Sequence, residues 1–167
     1  PSSDPEKIGT SRYRHDEAWA ELSELIDLQL SPLGARAITA LEPVPGEVVL
    51  DIGCGAGETL VQLGERVGPA GQVIGVDIAA RLLAIARQRT MGLAQVRLIE
   101  ADAQVLDLTA ASADAIFSRF GVMAFADPVA AFANFRRILR SSGRLAFTCW
   151  RALDENELDH LPLRAAG

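Results

Sequence analysis

The run Val48-Val49-Leu50-Asp51-Ile52-Gly53-Cys54-Gly55-Ala56-Gly57-Glu58 constrains the fold more than any other stretch of the chain. An apolar, β-branched segment ends in a carboxylate, and three glycines then alternate with small residues. Thr59-Leu60-Val61-Gln62-Leu63 opens a helical pattern directly after them. Strand, glycine turn and helix in this order build a ligand crevice at the carboxyl end of a strand in an open α/β sheet. Glycine admits positive φ and lets a ligand reach bare backbone. The free N–H groups and the positive end of the helix face that ligand.

The spacing bears on which ligand. A dinucleotide fingerprint places glycine at its first, third and sixth positions. Counted from Gly53, the sixth position is Glu58, and the last glycine falls one place early, at Gly57. Asp51 adds an anion where a pyrophosphate would have to approach, which suits a cationic ligand better. Further on, Gln72-Val73-Ile74-Gly75-Val76 reads as a second strand ending in Asp77, whose carboxylate is placed to accept both ribose hydroxyls of a nucleoside. A nicotinamide-dependent oxidoreductase is the rival reading. It is disfavoured by the glycine spacing, by Asp51, and by the lack of a Tyr-x-x-x-Lys pair, Tyr13 and Lys7 being the only residues of their kinds.

Taken in order, residues 15–30 pattern as an amphipathic helix through Trp19, Leu22, Leu25, Ile26 and Leu30. Ser31-Pro32 reads as a cap followed by Pro at the first helical position, opening a short helix to about Ala40. Strands are expected at 47–52, 72–77, 95–100, 114–118 and 144–150, with helices at 57–67, 79–90 and after the Asp127-Pro128 cap. The last strand is almost continuously apolar, as burial on both faces requires. Strands and helices alternating at this spacing imply a parallel sheet with right-handed crossovers.

Asp-Ile-Gly-Cys-Gly-Ala-Gly followed by Val-Asp-Ile resembles the class I methyltransferases that use S-adenosylmethionine. The stretch from Phe117-Ser118-Arg119-Phe120-Gly121-Val122-Met123 through Gly143-Arg144-Leu145-Ala146-Phe147 is similar to the small-molecule branch of that family, the ubiquinone/menaquinone-biosynthesis type. The resemblance covers roughly residues 47–150. It implies a Rossmann-like parallel α/β sheet of strand order 3-2-1-4-5 with helices on both faces. It also implies a tail and capping helices over 1–40, a cofactor-binding core over 41–150, and the start of a substrate region over 151–167. Members of the family continue with a helix and an antiparallel strand pair, which this sequence does not reach before Gly167.

What the resemblance implies for the site can be placed residue by residue. Gly53, Cys54, Gly55 and Gly57 would carry the methionine end of the cofactor, and Asp51 would orient its ammonium while remaining ionised. Asp77 would bind the ribose and Ile78 would pack on the adenine. Asp102 would accept from the adenine amino group, while the Ala103 N–H reaches a ring nitrogen. Ser118 and Arg119 leave the fourth strand in the crevice; the Arg contacts a carboxylate or serves as a structural ion pair, and both options stay open. Tyr13, Arg14 and Trp19 are lid candidates. Methyl transfer needs positioning and dry surroundings more than a covalent intermediate, and no general base can be assigned, His15 and His160 being isolated. The expected activity is methyl transfer to a small organic acceptor, giving S-adenosylhomocysteine. A non-catalytic domain that binds cofactor or a partner chain is the other alternative.

Composition narrows the partners. A net charge of −6 disfavours duplex binding, and Arg136, Arg137, Arg140 and Arg144 read as a solvated helix face. The fourth strand lacks the Asn/Asp/Ser-Pro-Pro-Tyr/Phe run of amino-methylating nucleic-acid enzymes, and neither Cys follows a Pro. No apolar run has the length of a membrane span, and the polar N-terminus has no signal-peptide core. Cys54 and Cys149 have no metal-ligand spacing, so no metal is expected, and a cytoplasmic setting follows. Cys149 reads as a small core residue. Whether the chain forms a homo-oligomer stays open.

Overall fold

The computed structural model describes residues 17–152 and residue 155. A helical turn over 17–21 breaks at Leu22 and continues as α1 (Ser23–Leu41). There follow β1 (Val48–Ile52), α2 (Glu58–Val67), β2 (Gln72–Asp77), α3 (Ala80–Arg89), β3 (Val96–Glu100), β4 (Ala113–Arg119), α4 (Pro128–Ile138) and β5 (Leu139–Thr148). The five strands form one sheet of order β3-β2-β1-β4-β5, parallel throughout. β1 is central, so its carboxyl end opens between two neighbours, and this places the glycine turn at the middle of the sheet.

Alternation along β1 divides the core. Val49 faces the layer of α1, α2 and α3, where Ile38, Leu41, Leu60, Leu63, Val67 and Leu83 meet Val73, Ala115 and Phe117. Leu50 and Ile52 face the opposite layer, where Ile74, Val76 and Ile116 pack under Phe135 and Ile138 of α4. Side-chain period 2 on the strand and steps of three and four on the helices produce both layers. Each fully buried Leu, Ile or Phe contributes about 1.5–3 kcal/mol, so α2, with Leu60, Leu63 and Val67 buried, is firmly seated. The α4 cap forms as its sequence predicts, with the Asp127 carboxylate accepting from the Ala130 N–H at 2.9 Å and Pro128 in the first turn.

Four local expectations fail, two of them in the first helix. Ser31 and Pro32 do not start a helix but lie inside α1. A mid-helix proline costs about 3 kcal/mol, yet Leu30, Gly34, Ala37, Ile38 and Leu41 are buried on both sides of it and hold the two halves in line. Ser31 instead donates its hydroxyl to Glu58 at 2.8 Å. Trp19, Leu22 and Leu25, expected on a buried stripe, are exposed.

β5 starts at Leu139 and shifts register across the Ser141-Ser142-Gly143 segment before Arg144 pairs with Ala115. As an edge strand it leaves Phe147 and then Cys149 exposed, which corrects the core assignment of that cysteine. The arginine cluster is not a plain solvated face either. Arg137 donates to the Leu108 carbonyl at 2.7 Å, Arg140 pairs with Asp114, and Arg144 grips Glu47 at 2.7 Å together with the Leu41 and Glu42 carbonyls. Among the described residues no helix is long and apolar enough to cross a membrane.

Candidate functional site

The carboxyl ends of the first four strands surround a crevice of about 250 Å³. The turn after β1 forms its floor. Gly53 takes φ 68° and Gly55 φ 53°. The Gly53 and Cys54 N–H groups both donate to the Val76 carbonyl, at 2.8 and 3.1 Å, which ties the turn to β2. A Cβ on Gly53 would lie 2.6 Å from the Gly121 Cα, whereas one on Gly55 would project into open space. Gly57 serves packing: a Cβ there would lie 2.8 Å from that of Ala86, so its absence lets α2 close on α3.

Asp77 stands where β2 ends. Its carboxylate accepts from the Gly55 N–H and from the Ala79 N–H, both at 2.8 Å. One side chain thus sets the glycine turn against the start of α3 and borders the crevice. Ile78 follows, 53% exposed on the crevice wall. After β3, Asp102 caps a short 3₁₀ turn by accepting from the Gln104 N–H at 2.9 Å, and it borders the crevice beside Ala103. Gln104 in turn accepts from the Asp127 N–H, linking this wall to α4.

Asp51 is not on the crevice wall. Strand alternation points it to the α2 side, beneath the turn, where it is fully buried. Thr59 donates to one of its oxygens, and Oδ1 has no partner. Burial pushes its pKa up to about 7, the Thr59 hydrogen bond and the Arg119 charge pulling the other way. Cys54 is likewise buried, and desolvation holds its thiol well above the usual range. Ser118 is fully buried and donates to the Ile52 carbonyl at 2.7 Å, so its hydroxyl turns away from the crevice.

Arg119 resolves toward the ion-pair option. It shares the α1 face with Phe117, donates to Asp27 at 2.8 Å and pairs with Glu58, its side chain only 11% exposed. Asp27 also holds Arg89. A smaller recess beside Arg119, lined by Trp19, Ser23, Ile26 and Asp27 from the N-terminal helices, adjoins the glycine turn. Asp27 and Glu58 escape sequence reasoning because nothing local marks a partner 92 or 61 residues away. Trp19 borders the crevice as a lid would; Tyr13, Arg14, His15 and His160 lie outside the described residues.

Residues 49–143 match the family described as "Methyltransferase domain". The chain belongs to this family. This methyltransferase domain is 40% identical over 120 residues to aklanonic acid methyltransferase of Streptomyces sp. strain C5, spanning 71% of this chain and 54% of that protein. It is 36% identical over 121 residues to nocamycin O-methyltransferase of Saccharothrix syringae, spanning 70% and 42%. The chain thus spans about half the length of the curated relatives it matches. Among solved structures, a SAM-dependent methyltransferase from Aquifex aeolicus shares its fold with a TM-score of 0.66, at 24% identity over 71% of this chain and 64% of that one.

Proposed function

We propose that this methyltransferase domain binds S-adenosylmethionine in the crevice and transfers its methyl group to a small organic acceptor. The observation that carries the proposal is the convergence of bare backbone at Gly53 and Gly55 with Asp77 and Asp102 on a single crevice. The residues fit the cofactor. Gly55 leaves its side-chain space open on the crevice floor, where a methionine tail would lie. Asp77 would hold the ribose hydroxyls, Ile78 the adenine face, Asp102 the adenine amino group and the Ala103 N–H a ring nitrogen. Gly53 to Gly57 would carry the methionine end, with Asp51 beneath them and Cys54 and Ser118 in support.

The charges around the crevice agree with a cationic ligand. Asp77, Asp102 and Arg119 line it, and Arg119 is already matched by Asp27 and Glu58. The local field therefore stays negative, which favours a sulfonium. Held by Asp77 at the ribose, Asp102 at the adenine and the Gly53–Gly57 backbone at the methionine end, the cofactor would supply an activated methyl group to an acceptor in the same crevice. Trp19 and Leu82 border the reacting space and would limit water there. The same reading places a cap over 1–40, the cofactor core over 41–150 and the start of a substrate region over 151–167. Free Cys54 and Cys149 fit a reducing cytoplasm.

Titration calorimetry and thermal shift with S-adenosylmethionine, S-adenosylhomocysteine and NAD test the assignment. The two sulfur ligands are expected to bind and raise the melting temperature, as ligands selective for the folded state do, and NAD is not. Stabilisation by NAD alone would overturn the proposal.

A further inference from the structure

α1 is apolar on two opposite sides. Leu30, Gly34, Ala37, Ile38 and Leu41 turn to the sheet and are buried. On the other side Leu22, Leu25, Leu28 and Pro32 follow at steps of three and four residues, all exposed, with Leu33 beside them. Leu25 is 64% exposed and Leu28 77%. Helical hydrogen bonds cross the break before α1, the Leu22 N–H donating to the Ala18 carbonyl and the Ile26 N–H to the Leu22 carbonyl, both at 2.9 Å, so hydrogen-bonded helix carries the whole stripe. A helix at a protein surface keeps its solvent side polar, and one that is apolar all round is covered on both sides. Exposed leucines gathered on one element mark an interaction surface, where scattered ones would not.

The charges flanking the stripe select what covers it. Glu21 and Glu24 stand exposed toward its N-terminal end and Arg36 at its C-terminal end. Among the described residues none of the three is in an ion pair. The acidic end is repelled by an anionic lipid surface. A second α1 laid antiparallel matches both ends. With a two-fold axis passing between Leu28 and Gln29, Leu25 lies against Pro32 of the second copy and Glu21 comes level with its Arg36, and symmetry supplies every contact twice. A parallel pairing would set Glu21 against Glu21 and Arg36 against Arg36, so the charges fix the direction. We propose that the outer face of α1 is a homodimer interface, two copies packing antiparallel through Leu22, Leu25, Leu28 and Pro32 with Glu21 of each opposite Arg36 of the other. This interface lies on the side of α1 away from the sheet and is independent of the methyl-transfer reading. The 19 residues of α1 make a helix about 28 Å long, so one helix pair falls at the small end of protein interfaces, where complexes exchange.

Sedimentation velocity on the full chain, over a micromolar concentration series, tests this. A concentration-dependent dimer is expected. Leu28→Glu is expected to weaken it more than roughly tenfold, since two leucines lose their cover. Glu21→Arg and Arg36→Glu are each expected to weaken it roughly 2- to 30-fold, the worth of two exposed ion pairs. The double variant Glu21→Arg with Arg36→Glu is expected to recover the wild-type affinity, because the swap restores each pair with its signs exchanged. All three side chains are exposed in the single chain, so thermal unfolding of each variant at dilution should match wild type. A wild type that stays monomeric through the series, whether free or floating with phosphatidylcholine vesicles, would overturn the proposal. So would a dimer that Leu28→Glu leaves intact, or a folded double variant that associates no more tightly than its two parents.

Discussion

The Asp51 carboxyl has lost its water to the core, and in the ligand-free protein it takes up a proton near neutrality where an exposed Asp would not. With a folded pKa of about 7 against an ordinary 3.8, the folded state binds this proton more tightly. The resulting stability is complete below about pH 4 and is lost as pH rises through 7, at up to roughly 1.4 kcal/mol per pH unit. Glu47 acts oppositely, since Arg144 holds its carboxyl below the usual range and its contribution disappears as pH falls. Asp114 does the same, Arg140 and the Val48 N–H outweighing its partial burial. Between pH 5 and 7.5 those two stay ionised. Urea unfolding in this window is expected to show wild type losing stability with rising pH, and Asp51→Asn showing a flatter profile. For Asp77→Ala, S-adenosylhomocysteine affinity is expected to fall tenfold or more by calorimetry, since a hydrogen bond to a charged acceptor contributes on the order of 1.5–3 kcal/mol. Some fold stability goes as well, because Gly55 and Ala79 lose their acceptor.

Among the elements, α1 is held in two different ways. Its C-terminal half is seated by Ile38 and Leu41, each 1% exposed, whereas its N-terminal half buries only Ser23 and Leu30 and adds Asp27 bridging Arg89 and Arg119. Asp27→Ala is therefore expected to speed amide exchange over residues 23–30 while leaving 34–41 protected, as hydrogen-exchange mass spectrometry would show; uniform exchange along α1 would contradict this. The same helix marks the boundary of what the sequence discloses. β1, α2, β2 and the α4 cap are legible because local periodicity and capping coincide with burial. Pro32 misleads because its local signal is a helix start, while tertiary packing on both sides keeps the helix running. The site divides similarly. Gly53, Gly55 and Asp77 are legible from their positions at strand ends, and Asp102 from the family resemblance. The burial of Asp51, the inward turn of Ser118 and the pairing of Arg119 depend on which face a strand presents and on distant partners, and no local pattern encodes these.

For the molecule as a whole, a parallel sheet is legible in the alternation of strands and helices, whereas the order 3-2-1-4-5 with helices on both faces follows from the family resemblance. The long-range clasp that closes the structure is legible in neither. Arg144 of β5 bonds the Leu41 and Glu42 carbonyls and the Glu47 carboxylate, reaching across as many as 103 residues. On the ribosome, chain emerges at about 5–20 residues per second. Once Leu41 has been made, roughly 5 to 20 seconds pass before Arg144 exists to receive it. Through that interval the C-terminal end of α1 lacks its clasp, while its apolar side can already pack in the cluster with β1, β2 and α2 as those are made. The Arg144 clasp on the C-terminal end of α1 is thus deferred until β5 is synthesised.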